Sequence, residues 1–574
     1  MGKKWIIRII QKQVYFKRMG TSKVVMKKYL IVLLFSSVLF AQVEYVPVNN
    51  NIYSFLERMD ALGFISGYNS FELPKTRHEV ASFIKEVDIH KAKLDAVDHS
   101  ILEDLKTEFE YDLYGTLNNS MSLFGKGDYN PFSQKEKYIY TQRDSGLGTL
   151  FINLTGEADG IIKSDRINER TTSAKLGIIG GEIRGTVLNN FSFYISGSNG
   201  LLLGDKETSF LLNELKYNYK LNETAISKYF DETAGYMTAD FDIIRFKIGR
   251  DRLKIGYGYI GALIDDNSPP FDYIGMDINY GILSFSYFHA KITGYPGNQP
   301  DSVTQGVNLV GEKYIGYHRL GINASKYTEF GVGEFIIYAN RPLEFAYVNP
   351  FNFYKSAEHA GQDRDNSMLF FDISNRSICG LKLYSYLLLD DIDFGKLFTG
   401  WYGNQNIWNF GLTSSNLYKY IPLDIKAEYQ RIEPYVFTHR LQYNNFTNLG
   451  YPLGAFTSPN SELFFTELTY RFNYRCNGSL GFIYGIHGAN PVNKDGSVIN
   501  VGGDIALGHR SFDNNIIHFL NGDLEYQRIV SASINYEPYK EINIILKINY
   551  LNQSLQNSVH QKEIQSFFTL EAKL

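Results

Sequence analysis

From about residue 145 to its last residue, the chain repeats one pattern: an apolar residue at every second position, a short turn, and the pattern again. "TLFINLTGEA" sets Leu150, Ile152 and Leu154 opposite Phe151, Asn153 and Thr155. "EINIILKINY" sets Ile542, Ile544, Leu546, Ile548 and Tyr550 opposite Glu541, Asn543, Lys547 and Asn549. The chain ends on "EIQSFFTLEAKL", where Ile564, Phe568, Leu570, Ala572 and Leu574 alternate with Glu563, Gln565, Thr569, Glu571 and Lys573. Period two is the period of a strand with unlike faces. Such a strand must bury its apolar face in a sandwich core or turn it to lipid. An amphipathic strand at the extreme C-terminus suits closure of a barrel. Composition points the same way. The chain holds 43 Tyr, 41 Phe and 50 Gly but only 3 Trp, at a mean hydropathy of −0.22. Only half of each strand of a membrane barrel faces lipid, which keeps hydropathy modest. The expected fold is all-β, a transmembrane antiparallel barrel.

One stretch reads as a model strand of this kind. In "LKIGYGYIGALIDDNSPPFDYIGM" (253–276), Leu253, Ile255, Tyr257, Tyr259 and Leu263 are expected to face lipid. Lys254, Gly256 and Gly258 are expected to face the interior. "DDNSPPFD" then falls outside the membrane, because unpaired backbone does not face hydrocarbon.

The start of the chain indicates a compartment. Residues 26–42, "MKKYLIVLLFSSVLFAQ", read as a secretory signal with Lys27 and Lys28, an apolar core Leu30–Phe40, and Ala41 before the cut. The apolar run is too short to span a bilayer. Residues 1–25 read as an upstream extension, with translation starting at Met26. A net charge of −4 gives no reason to expect a nucleic-acid partner. The two cysteines, Cys379 and Cys476, fit neither a disulfide framework nor a metal site.

Between the signal and the strands, the period is helical. Ile52, Phe55, Leu56, Met59 and Leu62 share one face, and Gly63 suits the stop. Thr76 and Glu79 form a capping box for a second helix bearing Val80, Phe83, Ile84 and Val87. A third helix is expected from Asp98 to Asp112. The motif "LPKTRHEVA" resembles one surface-layer-homology repeat, but a single copy fits docking on the barrel better than cell-wall binding. The expected organisation is a signal with its extension at 1–41, a periplasmic helical domain at 42–115 and the barrel at 116–574.

Loop lengths predict the orientation, since such barrels have short periplasmic turns and longer external loops. "RDR" (250–252), "NYG" (279–281) and "SKYT" (325–328) are short. The connections at 265–272, 293–313 and 340–367 are longer and are expected outside.

An ordered set of segments carries a family resemblance over roughly residues 240–470: "FKIGRDRLKIGYGYIGALIDDNSPPFDYI", "YHRLGI", "GEFIIYANRPLEFAYVNPFNFY", "DRDNSMLFFDIS" and "LKLYSYLLLDDIDFGK". The set resembles the Wzi-type capsule assembly proteins of Gram-negative bacteria. The resemblance implies an outer-membrane barrel of about 18 strands with a periplasmic helical bundle. It also implies a lectin-like, non-enzymatic role in binding or assembling capsular polysaccharide or exopolysaccharide at the cell surface, with polysaccharide export machinery as a further partner. The alternative is a porin or a transporter of glycans or small solutes.

Sugar recognition needs aromatic faces for C–H surfaces and planar polar groups for hydroxyls. The predicted external loops offer Asp265, Asp266, Asp272, Tyr295, Arg341, Tyr347, Phe351, Tyr354, His359, Asp363, Arg364 and Asp365, and a further cluster of Asp390, Asp391 and Asp393. Solvated loop residues or loop-to-loop salt bridges are the plainer reading of each. Arg250 and Arg252, at a predicted periplasmic turn, are expected to brace the barrel mouth or its helical attachment rather than touch ligand. Arg319 and Glu334 are expected to pair across the "SKYT" hairpin. No cofactor is expected. The acids invite a bridging Ca2+, but no EF-hand spacing is present. The one grouping suggestive of an enzyme is His509, Ser511 and Asp513 in "GHRSFDNN".

Overall fold

The computed structural model describes residues 42–574, apart from 126–127, 145–146, 217–220, 225–226, 267, 295–311, 417–420, 455, 457 and 557. The signal sequence, the Met26 start and Tyr295 lie outside the described residues. From Gln42 onward the chain is one compact unit.

That unit is a closed antiparallel barrel of 18 strands with a helical cap. The strands are β1 (Gly148–Asp165), β2 (Arg170–Val187), β3 (Phe191–Gly204), β4 (Lys228–Asp240), β5 (Ile244–Asp251) and β6 (Phe271–Tyr280). Next come β7 (Leu283–Thr293), β8 (Glu312–Ser325), β9 (Thr328–Ala339), β10 (Asn366–Ile378), β11 (Leu381–Asp391) and β12 (Gln405–Ser414). The last six are β13 (Leu423–Ile432), β14 (Ser461–Asn473), β15 (Cys476–Ala489), β16 (Asp523–Tyr539), β17 (Ile542–Leu555) and β18 (Ser558–Lys573). The C-terminal strand closes the ring on β1, with Phe568 opposite Gly160 and Ala572 opposite Gly156.

The alternation is realised as the sequence predicts. Leu154, Leu546, Ile548, Phe568 and Leu570 are exposed on the outer wall, while Phe151, Asn153, Glu563 and Gln565 are buried inside. Tyr280, Tyr470, Phe472, Tyr536 and Tyr539 are exposed near one end. An apolar band edged by aromatics is the outer surface of a membrane-spanning barrel. Among the described residues no helix is long and apolar enough to cross a membrane.

The barrel ends differ. Connections at 188–190, 241–243, 281–282, 326–327, 379–380, 474–475 and 540–541 are short and share one end. The long connections, at 205–227, 252–270, 340–365, 392–404, 433–460 and 490–522, share the other.

Four helices cap the short-turn end: α1 (Ile52–Ala61), α2 (Arg77–Ile89), α3 (Ala96–Glu108) and α4 (Glu110–Tyr114). Their facing apolar residues form their own core, with Leu56, Met59, Val80, Ile84 and Leu102 fully buried. The predicted capping box holds: Glu79 N–H donates to Thr76 Oγ1 at 3.2 Å, and Thr76 N–H to Glu79 Oε2 at 2.9 Å. The expected third helix is instead two, broken at Phe109, where the backbone leaves helical geometry. A ring of buried ion pairs ties the cap to the wall. Asp60 meets Arg376 at 2.6 Å and Lys382 at 2.8 Å, Arg58 meets Asp424 at 2.9 Å, and Asp104 meets Lys540 at 2.9 Å.

The largest departure from expectation is the stretch 253–264. It is not a strand of the barrel wall, and its apolar residues do not face lipid. It folds into the barrel, where Ile255, Tyr257, Ile260, Leu263 and Ile264 are all buried. Arg250 and Arg252 therefore lie at the long-loop end, not at a short turn. Alternating apolar residues fit an aromatic interior as well as they fit lipid, so periodicity alone does not separate the two.

Candidate binding site at the plugged mouth

The interior is filled from both ends. From the cap, residues 63–75 enter as a finger that places Phe71 at the barrel axis. Its ring lies 4.9 Å from Tyr257 and 5.5 Å from Phe370. From the long-loop end, the 252–270 loop comes down to meet it. Glu72–Leu73 pairs antiparallel with Lys254–Ile255, and Gly256 N–H donates to Phe71 O at 2.8 Å. The 433–460 loop adds Val436, Phe437, Phe446 and Leu453 to the same apolar core.

A descending loop leaves backbone donors to satisfy, since buried unpaired N–H groups are costly. Glu428, on β13, accepts three in a row: Tyr259 N–H at 2.6 Å, Ile260 N–H at 3.1 Å and Gly261 N–H at 3.2 Å. The glycines of "IGYGY" follow from this cradle. Gly258 has φ +70°, and a Cβ there would lie 2.3 Å from Glu428 Oε1. Gly256 has φ +107°, and its Cβ would strike Gly261 O.

At the centre, Arg319 is fully buried. It donates to Asp372 through Nε and Nη2, both at 2.8 Å, to Glu329 at 2.9 Å and to Glu72 of the finger at 3.4 Å. Tyr257 and Tyr317 complete the network by donating to Asp372 and Glu72. The expected pairing of Arg319 with Glu334 is one register step out. Arg319 lies opposite Gly333 and points inward; Glu334 lies opposite His318 and points outward.

The plug does not fill the whole mouth. On the β14–β17 side, a cavity of about 220 Å³ remains at the long-loop end. Polar side chains line it: Ser461, His487, Glu525, Gln527 and Gln553, with Phe456 and Leu463 at its apolar edge. His487 Nδ1 meets Glu525 at 2.9 Å, and its Nε2 meets Gly503 O at 2.8 Å. The imidazole is held by both nitrogens, which leaves the amides of Gln527 and Gln553 as unoccupied planar donors and acceptors. Beside the cavity, Tyr259 leans on Phe465 and Phe456, at 4.9 and 5.6 Å, and stays 48% exposed. An exposed aromatic face beside planar polar groups is the chemistry a sugar ring needs. The lining polar residues come from four successive strands spread over 92 positions, Ser461 to Gln553, so no local motif marks them.

At the rim, Asp265 and Asp266 behave as a pair. Burial raises Asp265, but the hydrogen bond with Asp266 and the charge of Lys216, at 3.1 Å, outweigh it and hold the carboxyl low. Asp266 is pushed up to about 6 by burial and by its neighbour. Its ordinary value is 3.8. At Asp266 the folded loop thus keeps a proton that the unfolded chain releases across this window, so this group's contribution to stability is greatest at low pH, falls between about pH 4 and 6 and is flat above. Thermal unfolding in detergent should show that slope in the wild type and lose it in Asp266→Asn.

The other sequence candidates scatter. Arg341 makes a bidentate pair with Asp365 at 2.6 and 2.5 Å, and Tyr347 donates to Asp365 at 2.7 Å. Tyr354 is fully buried against His318. These four hold a loop together and are closed to ligand. Asp390 is buried and accepts Phe437 N–H at 2.6 Å, so it anchors the plug. Asp272 pairs with Arg250 at 3.1 Å on the outer wall, and Arg252 pairs with Glu232 at 2.7 Å. His359, Asp363, Arg364 and Asp391 are exposed but lie in other loops than the cavity. Among the described residues no cluster of His, Cys, Asp or Glu suits a metal ion. His509 stacks on Tyr402 at 3.5 Å, while Asp513 is held by Arg510 and Asn500, both at 2.8 Å. Neither contact aims these groups at Ser511.

No family model and no curated protein matches the chain. Among solved structures, it is similar to Wzi of Escherichia coli, an outer-membrane protein involved in group 1 capsule assembly and described as a carbohydrate-binding β-barrel. Identity is 12%, the match covers 92% of this chain and 99% of that one, and the TM-score is 0.55. OccAB4 of Acinetobacter baumannii (9% identity, 74% of this chain, 98% of that chain, TM-score 0.43) and OpdK of Pseudomonas aeruginosa, solved with vanillate (11%, 74%, 98%, 0.42), also match, too distantly to bear on function. The fold is thus the Wzi-type outer-membrane barrel, shared over nine-tenths of the chain.

Proposed function

We propose that this protein is a non-enzymatic outer-membrane lectin that holds or helps assemble a surface polysaccharide, with its helical cap in the periplasm. The observation that carries the reading is the form of the mouth. The axis is closed by an aromatic plug, and a polar cavity flanked by the Tyr259 ring opens beside it on the long-loop side. The carbohydrate-binding character of the E. coli barrel of like fold supports the same role. The porin alternative needs a continuous aqueous path, and the interlocked finger and loop stand across it.

The test is a pull-down of the detergent-purified barrel with the source organism's own surface polysaccharide, with and without calcium. Saturable binding is expected for the wild type. A Tyr259→Ala, Gln527→Ala, Gln553→Ala triple variant should lose about tenfold or more, consistent with one stacking and two hydrogen-bonding contacts. A His359→Ala, Asp363→Ala, Arg364→Ala variant, outside the cavity, should bind as wild type. Equal binding by the cavity variant would remove the cavity from the site, and no binding by well-folded wild type would end the lectin reading.

A further inference from the structure

The β9–β10 connection, residues 340–365, does not stand in the external medium. It folds back over the outer wall of the barrel. Strand alternation establishes the side: Tyr317, Arg319, Phe335 and Ile337 belong to the interior, so their neighbours His318, Glu334, Ile336 and Tyr338 point outward. On these outward residues sit two short helices, α5 (Phe345–Val348) and α6 (Tyr354–Ala360). Tyr354 stacks on His318 at 4.4 Å, and its N–H donates to Glu334 at 2.8 Å. Tyr287 on β7 donates to Val348 O at 2.6 Å, and Phe351 stacks on Phe285 at 5.3 Å.

That last contact measures the depth. Phe285 lies eight residues below the long-loop end of β7, about 26 Å along the strand. The flap therefore reaches well into the band where neighbouring wall residues, Leu320, Phe330 and Phe371, are exposed and apolar.

We infer that this flap is embedded in the bilayer and that its uncovered face contacts lipid acyl chains. Three observations carry this. First, its outer face is apolar where it is deepest: Phe345, Phe351 and Phe353 are 81%, 65% and 71% exposed. Of its charged residues, the Arg341–Asp365 pair with His359, Asp363 and Arg364 lie towards the two ends where the chain rejoins the rim, while Glu344 and Lys355, beside the apolar face, are each paired within the flap, with Arg341 at 3.9 Å and Glu358 at 3.1 Å. Secondly, backbone donors along it find partners within the protein, as hydrocarbon demands. Asn349 N–H donates to Phe345 O, Phe351 N–H to Asn349 Oδ1 and Ala357 N–H to Phe353 O. Thirdly, the flap covers a polar patch of wall that would otherwise face hydrocarbon: His289, bonded to Tyr338 at 2.9 Å, and the His318–Glu334 pair at 3.1 Å. The apolar surface of the flap continues the membrane band rather than interrupting it.

The test is site-directed spin labelling in liposomes. Cys379 and Cys476 are replaced by serine, and a single nitroxide is placed by Phe353→Cys. Leu546→Cys, on the open wall, is the lipid control, and Phe398→Cys, on an exposed loop tip, is the water control. Each variant is first checked for the heat-dependent gel shift of a folded barrel. At 353, oxygen should relax the label strongly and a water-soluble nickel chelate weakly, matching 546 and opposing 398. Access by the nickel reagent, as at 398, would overturn the inference by placing the flap in water. Exclusion of both reagents would overturn it by placing protein there, as in an oligomer contact. Water access at 546 itself would remove the membrane reading and the flap with it.

Discussion

Replacing Arg319 with methionine should release the finger from the barrel and leave the barrel itself closed. The guanidinium is fully buried, and Asp372, Glu329 and Glu72 all lean on it. Its loss leaves uncompensated carboxylates in the interior, a change that costs about 3–5 kcal/mol when one partner of a buried pair is removed. The wall has its own continuous ladder, from β1 round to β18, and does not depend on Arg319 for closure. Limited proteolysis should therefore cut residues 63–115 in Arg319→Met under conditions that spare them in the wild type. The heat-dependent gel shift of the barrel should persist. Arg319→Lys should behave like the methionine variant, because an ammonium does not present the planar fork that meets two carboxylates at once. Wild-type protease resistance in both variants would show that the ion network is not what holds the finger.

The second large effect is on permeation. In planar bilayers the wild type should show no steady conductance, because Phe71, Tyr257, Phe370 and Tyr386 close the axis in edge and stacked contacts between 4.9 and 6.4 Å. Excising the finger tip alone, Asn69–Pro74, or shortening the 253–264 loop alone should give flickering, partial currents. Removing both should give a stable pore, since 18 strands enclose a lumen wide enough for water once side chains no longer fill it. The gel shift confirms that each variant is folded before its current is read. A steady wild-type conductance would mean that the polar side of the lumen, near β14–β18, already forms a path, and the transporter reading would then lead.

Much of the fold was legible because it rests on local rules. Alternation over 18 strands, turn lengths and the C-terminal strand each report on a few neighbouring residues. The capping box of Thr76 and Glu79 is local in the same way, and it is where the spacing placed it. The candidate site was less legible. The acid-rich loops drew attention, yet Asp365 and Asp390 turned out to be internal anchors and Asp272 an outer-wall pair. The residues that line the mouth cavity, such as His487, Gln527 and Gln553, are ordinary inward positions of strands.

By itself, then, the sequence determined a membrane barrel, its closing strand, its helical cap and the long and short connections at 279–281, 325–328 and 340–367, though not the turn it placed at 250–252. Each of these follows from a period or a spacing. The tertiary structure alone decided three things. Whether "LKIGYGYIGAL" faces lipid or fills the lumen depended on Glu428, 169 residues after Tyr259, and on the finger, whose Glu72 lies 183 residues before Ile255. Whether Arg319 meets Glu334 or Asp372 depended on one step of register. Whether the 340–365 loop stands free or lies on the wall depended on His318 and Glu334 pointing outward. In each case an apolar or charged residue had two chemically equivalent environments open to it, and only contacts between distant parts of the chain chose between them.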